Sequence, residues 1–191
     1  VSKSSAEVES TGFVEKHPYL TRLLLVVFFF TTISLLLYAG FNTSISMSEA
    51  RATVEKLRPF FESIIKPGDI EATAWNTFMH NAAMTVIANT PLLGFPLMLY
   101  SAYQTGLTAK MLVMVSGKHF TFYQLYLKPH TLLEILAYSL AAAESAYLTP
   151  VMLRRSKEAP PLAPTLAVVI MELSLLWMAS IVEAQLIISG A

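Results

Sequence analysis

The stretch from Ala72 to Ala109 reads ATAWNTFMHNAAMTVIANTPLLGFPLMLYSAYQTGLTA and contains no Asp, Glu, Lys or Arg. One helix of about 38 residues, rising 1.5 Å per residue, would overshoot the ~30 Å hydrocarbon core of a bilayer. Asn89-Thr90-Pro91 offers a turn near the middle, and Gly94 and Pro96 follow closely. The stretch therefore reads as two spans, 72–89 and 91–115, joined as a tight hairpin whose turn carries Asn89. The alternative is one span plus a re-entrant segment, which protein must bury because irregular backbone finds no partner in lipid.

Three further runs fit the same scheme. Residues 23–40 are uncharged, with Pro18, Tyr19 and Arg22 before them as expected interfacial anchors. This run lacks a small-x-small cleavage site, so it reads as a retained span and not a signal peptide. Residues 131–153 form a fourth span, with Pro150 predicted to kink its end, and 162–189 form a fifth. The chain is 54% hydrophobic and 14% charged, against about 25% charged in soluble domains. The expected fold class is an all-α, polytopic membrane bundle of five transmembrane helices in a single domain, located in the cell membrane.

Composition also excludes functions. Thirteen Lys and Arg balance thirteen Asp and Glu, so no bulk charge draws the chain to nucleic acid. Cysteine is absent, which removes disulfides, thiolate nucleophiles and cysteine metal sites together.

The segments outside the spans differ in character. Residues 1–17 form a polar tail. Residues 46–66 open with Ser46 and Glu49, a Ser-x-x-Glu capping box in which each side chain satisfies the other's free backbone amide. Val54, Leu57, Phe61 and Ile64 then recur at helical spacing, with Glu55, Arg58 and Glu62 between them. That pattern predicts an amphipathic interfacial helix, kinked or split by Pro59 and ended by Pro67-Gly68-Asp69. Residues 116–128 are rich in aromatics and read as an interfacial connector. Arg154, Arg155 and Lys157 form the densest short basic loop, before the stiff Pro160, Pro161 and Pro164 linker. The positive-inside rule then puts that loop and the N-terminus in the cytoplasm.

Polar residues inside the spans locate the candidate site. A carboxylate at the bilayer centre costs about 2.5–3.5 kcal/mol on insertion scales. Glu134, Glu144, Glu172 and Glu183 should therefore face the bundle, pair with a partner or be protonated. Glu172 and Glu183 are eleven residues apart, about three turns, so they share a face but cannot act as a dyad. His130 and Glu134 are four apart and adjacent on one face. The expected buried polar cluster is His80, Asn81, Gln104, His130, Glu134 and Glu183, with Glu134 as hub and Asn89, Glu144 and Glu172 in secondary positions. Small residues from Ala141 to Ala146 allow close helix approach. Such a cluster serves as interhelical glue, as a path for protons, ions or a small solute, or as a metal-dependent intramembrane hydrolase. The zinc-protease spacing is missing, because residue 134 is Glu and residue 131 is Thr. No catalytic residue, cofactor or metal ligand is assigned.

Pro129-His130-Thr131-Leu132-Leu133-Glu134 resembles the Pro-His-Gly-x-x-Glu motif of the stage II sporulation protein M family. His80-Asn81 falls where that family has paired asparagines, Gln104-Thr105-Gly106 near its Asn-Gly element, and Ile181-Val182-Glu183-Ala184 resembles its closing Ile-Glu-Ala stretch. The order and the five-span layout agree over about residues 20–190. Thr131, His80 and Gln104 depart from the family pattern, as does a missing closing Thr-Pro, which fits a divergent, for instance archaeal, member. The family's namesake resembles a scaffold in a membrane complex that remodels the cell wall during engulfment. The resemblance thus implies a non-enzymatic membrane subunit that assembles with itself or other membrane proteins; transport is the runner-up.

Overall fold

The computed structural model describes residues 17–117, 119–153 and 162–189. Most of the predicted N-terminal tail, the basic loop of Arg154, Arg155 and Lys157, and Pro160 and Pro161 of the linker lie outside them. Among the described residues the chain is all-helical, with seven helices and no strand.

Pro18 opens α1 (Pro18–Phe41) at the first turn, where a missing amide hydrogen costs nothing. The helix ends where Asn42 turns its Nδ2 back onto the Tyr38 carbonyl at 2.8 Å. The predicted capping box starts α2 (Met47–Ile64): Ser46 Oγ accepts the Glu49 amide, and Glu49 accepts the Ser46 amide at 3.1 Å. The Ser46 hydroxyl, donating to Glu49 Oε2 at 2.7 Å, and the Ser46 amide together hold the exposed Glu49 carboxyl below its ordinary range. Pro59 does not split α2, which runs unbroken from Met47 to Ile64. It sits on the exposed face, where the carbonyl it leaves unbonded meets solvent.

Asp69 caps α3 (Ile70–Ala88) by accepting the Ala72 amide at 2.9 Å. Asn76 of α3 donates to the Ile64 carbonyl at 3.1 Å, closing the C-terminal end of α2. After the turn at 89–93 comes α4 (Gly94–Ser116), stopped by Gly117 in the left-handed conformation. The aromatic connector holds a short α5 (Phe122–Tyr126), whose Phe122 ring packs on Tyr38 and Phe41 of α1. Tyr126 hydrogen-bonds Ser34 at 2.8 Å. The connector is therefore docked on the bundle. Pro129 is the first residue of α6 (Pro129–Leu153), which continues through Pro150, and α7 (Leu162–Ser189) takes Pro164 into its first turn.

The alanine-rich middle of α6 is buried on all sides, because α6 touches α1, α3, α4 and α7. Around it α1 packs against α4 and α3 against α7. Two glycines set the closest approach. A Cβ on Gly106 of α4 would collide with the Leu37 carbonyl of α1, and one on Gly40 with the Tyr103 carbonyl. The predicted packed hairpin is corrected here. The turn at Asn89 exists, but α3 and α4 barely touch beyond it: α3 leans on α7 and α4 on α1. The two helices diverge as a V, and α2 lies across its wide end, packed mainly on α4.

Among the described residues, α1 and α7 are long and apolar enough to cross a membrane. The three other long helices carry more Thr, Asn, Ser and small residues, which lowers their hydropathy.

Candidate functional site

The open V encloses a cavity of about 560 Å³, within the range of small-molecule sites. α3 contributes Asn81, α4 Gln104, α6 Thr131 and Glu134, and α7 Glu183; Phe60 and Phe61 of α2 cover one end. Sequence-distant polar residues meet there for a simple reason. Thr131 and Glu134 lie near the start of α6 and Glu183 near the end of α7, while Asn81 and Gln104 lie near the middles of α3 and α4, and the alternating chain direction brings these levels together.

Asn81 Nδ2 donates to Glu134 Oε1 at 2.9 Å, as the sequence suggested. Glu183 borders the same cavity as Glu134. Gln104 borders the same space. The expected cluster needs two corrections. His80 is exposed at the cavity rim, its ring against Phe60 at 5.0 Å. His130 is half-buried and does not border the cavity, and its Nδ1 makes no hydrogen bond among the described residues.

Glu134 is also not the hub. That position belongs to Glu144, which sits at the far end of the bundle. Arg22 Nε donates to Glu144 Oε2 at 2.7 Å and Arg22 Nη2 to Oε1 at 3.0 Å, a bidentate pair. Thr165 donates to Oε1 at 2.6 Å. The guanidinium lies 3.9 Å from the centre of the Tyr147 ring. Arg22 is buried, so its predicted role as an interfacial anchor is overturned. A cation one turn inside α1 was the available signal for a buried partner.

The turn at the apex of the V is tied down at the same end. Asn89 Nδ2 donates to Glu172 Oε2 at 2.6 Å. Ser145 donates to the Thr90 carbonyl at 2.8 Å and accepts the Phe95 amide, while Thr149 accepts the Leu92 amide at 2.8 Å. Leu92 adopts a φ of 73°, which is strained for a side chain of this kind. Ser145 and Thr149, unnoticed as polar partners in the sequence, thus fix a backbone that would relax if freed. Glu172 is fully buried. It lies about 16 Å along α7 from Glu183 by helical rise, so the two carboxyls serve opposite ends.

The site therefore has one end with acidic groups beside open space and one end locked by ion pairing and turn bonds. Among the described residues no group of three or more His, Asp or Glu could hold a metal ion. The open end sets carboxyl and amide side chains next to an apolar wall. No family model, no curated protein and no solved structure matches this chain.

Proposed function

We propose that this chain is an integral membrane protein of five spans, α1, α3, α4, α6 and α7, with α2 lying at one membrane surface. It binds a small solute in the cavity of the V and acts as a transporter or as the solute-binding subunit of one. One observation carries this reading: residues from four separate spans, Asn81, Gln104, Glu134 and Glu183, border a single space that protein does not fill. Groups serving only as interhelical glue would be bonded to each other and packed. The locked far end, where Glu144 holds Arg22 and Glu172 holds Asn89, is the closed gate opposite the mouth.

The same convergence supports kinship with the stage II sporulation protein M family. Each of the four motifs carrying that resemblance places a residue at the cavity. Assembly with a second copy or another membrane protein is the second reading. It draws on that resemblance and on the contacting rings of Trp75, Phe78 and Trp177, where both tryptophans are exposed on the α3–α7 side.

Sidedness tests the proposal. The chain has no cysteine, so Thr131→Cys and Thr90→Cys are each unique. With the N-terminus cytoplasmic, an impermeant maleimide labels Thr131→Cys from outside the cell and Thr90→Cys only from inside. Labelling of both from one side, or of Thr131→Cys from neither, contradicts it.

A further inference from the structure

The cavity wall is amphiphilic. Glu134, Glu183 and Gln104 form its polar part, with the rings of Phe60 and Phe61 on the α2 side and Ile33, Met84 and Met98 toward the apex. The register separates the polar part from the apex side. Met98 precedes Gln104 by six residues, about 9 Å along α4, and Met84 follows Thr77 by seven, about 10 Å along α3. A ligand matching this wall has a polar head toward α2 and an apolar body toward the turn.

The sign of the head follows from the groups around it. Two carboxyls face the cavity, and the cation that acts on Glu183 is Lys128, at the start of α6. An anionic head would meet both acids. A bare divalent cation needs six or more oxygen ligands, and no group of three acidic or imidazole side chains is available among the described residues. An ammonium head needs fewer acceptors, in charge-assisted hydrogen bonds. Asn81 engages Glu134 Oε1 and leaves Oε2 available. The rings of Phe60, Phe61 and Tyr138 around the cavity suit a cation bearing an apolar body.

We infer that the cavity binds an amphiphilic organic amine, its ammonium head between Glu134 and Glu183 and its apolar body along Ile33, Met84 and Met98. This rests on the reading of the cavity as a solute site, and the V gives the ligand its way in, sideways between α3 and α4.

The test uses the full chain in lipid nanodiscs with Gln104→Cys as the sole cysteine, and Thr105→Cys as a second reporter on the same helix. Maleimide labelling is timed with hexylammonium, 1-hexanol, hexanoate or sodium chloride. Hexylammonium is expected to slow labelling at concentrations where the other three have no effect. Glu134→Gln or Glu183→Gln is expected to raise the half-protecting concentration about tenfold or more, and Glu62→Gln on the exposed face of α2 to leave it unchanged. Labelling that no probe slows, or that hexanol slows as well as hexylammonium does, overturns the amine inference and leaves the cavity reading standing. If neither cysteine is labelled, the cavity reading falls and takes the inference with it.

Discussion

Arg22 and Glu144 are 122 residues apart in the chain and joined by two parallel hydrogen bonds of 2.7 and 3.0 Å, with both side chains buried. The pair ties the start of α1 to the second half of α6. Removing one member leaves a buried charge without its partner, which costs about 3–5 kcal/mol. Arg22→Met or Glu144→Met should therefore lower bundle stability by that amount, read from denaturant unfolding in detergent micelles. The double substitution should recover most of the loss, since an apolar pair of similar volume avoids desolvation altogether. Additive losses would mean that the two side chains act independently.

Leu92 offers a stabilising change. Its φ of 73° costs an ordinary residue about 1–2 kcal/mol, and glycine adopts it freely. The side chain is exposed, so little packing is lost. Leu92→Gly should stabilise the chain by about 0.5–1 kcal/mol after the added freedom of the unfolded chain is subtracted. A loss of stability would show that the Leu92 side chain makes a contact that outweighs the strain.

The glycine contact of α1 with α4 predicts the opposite sign. Any side chain at position 106 meets backbone, which cannot move aside as a rotamer can. Gly106→Val should destabilise by about 3 kcal/mol or more, and the cavity wall on α4 should shift with it. Gly117→Ala, in open space but left-handed, should cost only about 1 kcal/mol.

The capping box gives a pH dependence outside the bundle. The Glu49 carboxyl is held below its ordinary range by the Ser46 hydroxyl and amide. A depressed folded value adds stability to α2 that is present above the unfolded value and lost as pH falls through the folded one. Amide exchange at Glu49 and Ala50 should therefore quicken on acidification below the usual carboxylate range. Ser46→Ala should quicken it already at neutral pH. Exchange that ignores both would show that the cap contributes nothing to the start of α2.

The elements themselves were legible because their signals are local. Long apolar runs with few charges marked the long helices to within a few residues, and Ser46 with Glu49 announced α2. The bonding of the polar residues was legible only in part. Asn81 with Glu134 could be proposed because both lie on apolar helices and need partners. The Arg22–Glu144 pair could not, because a cation near a helix end satisfies the interfacial pattern equally well, and only tertiary packing decides. His80 was misplaced for a related reason. Its helix has polar residues on more than one face, so position alone does not say which face turns inward. The divergence of α3 and α4 was hidden too: a short turn fixes where two helices begin, and their tilt depends on the Gly40 and Gly106 contact of α4 with α1 and on the packing of α3 against α7.

The central claim is that Glu183, on one of the two most apolar helices, faces a space that water and solute can enter. Its most direct test compares two single cysteines on α7, Glu183→Cys at the cavity and Met178→Cys, which is 55% exposed on the outer surface. In lipid nanodiscs, a water-soluble maleimide should label Glu183→Cys at a rate near that of Glu62→Cys on the solvent face of α2, while Met178→Cys stays unlabelled among the acyl chains. Glu183→Cys as unreactive as Met178→Cys would contradict the account.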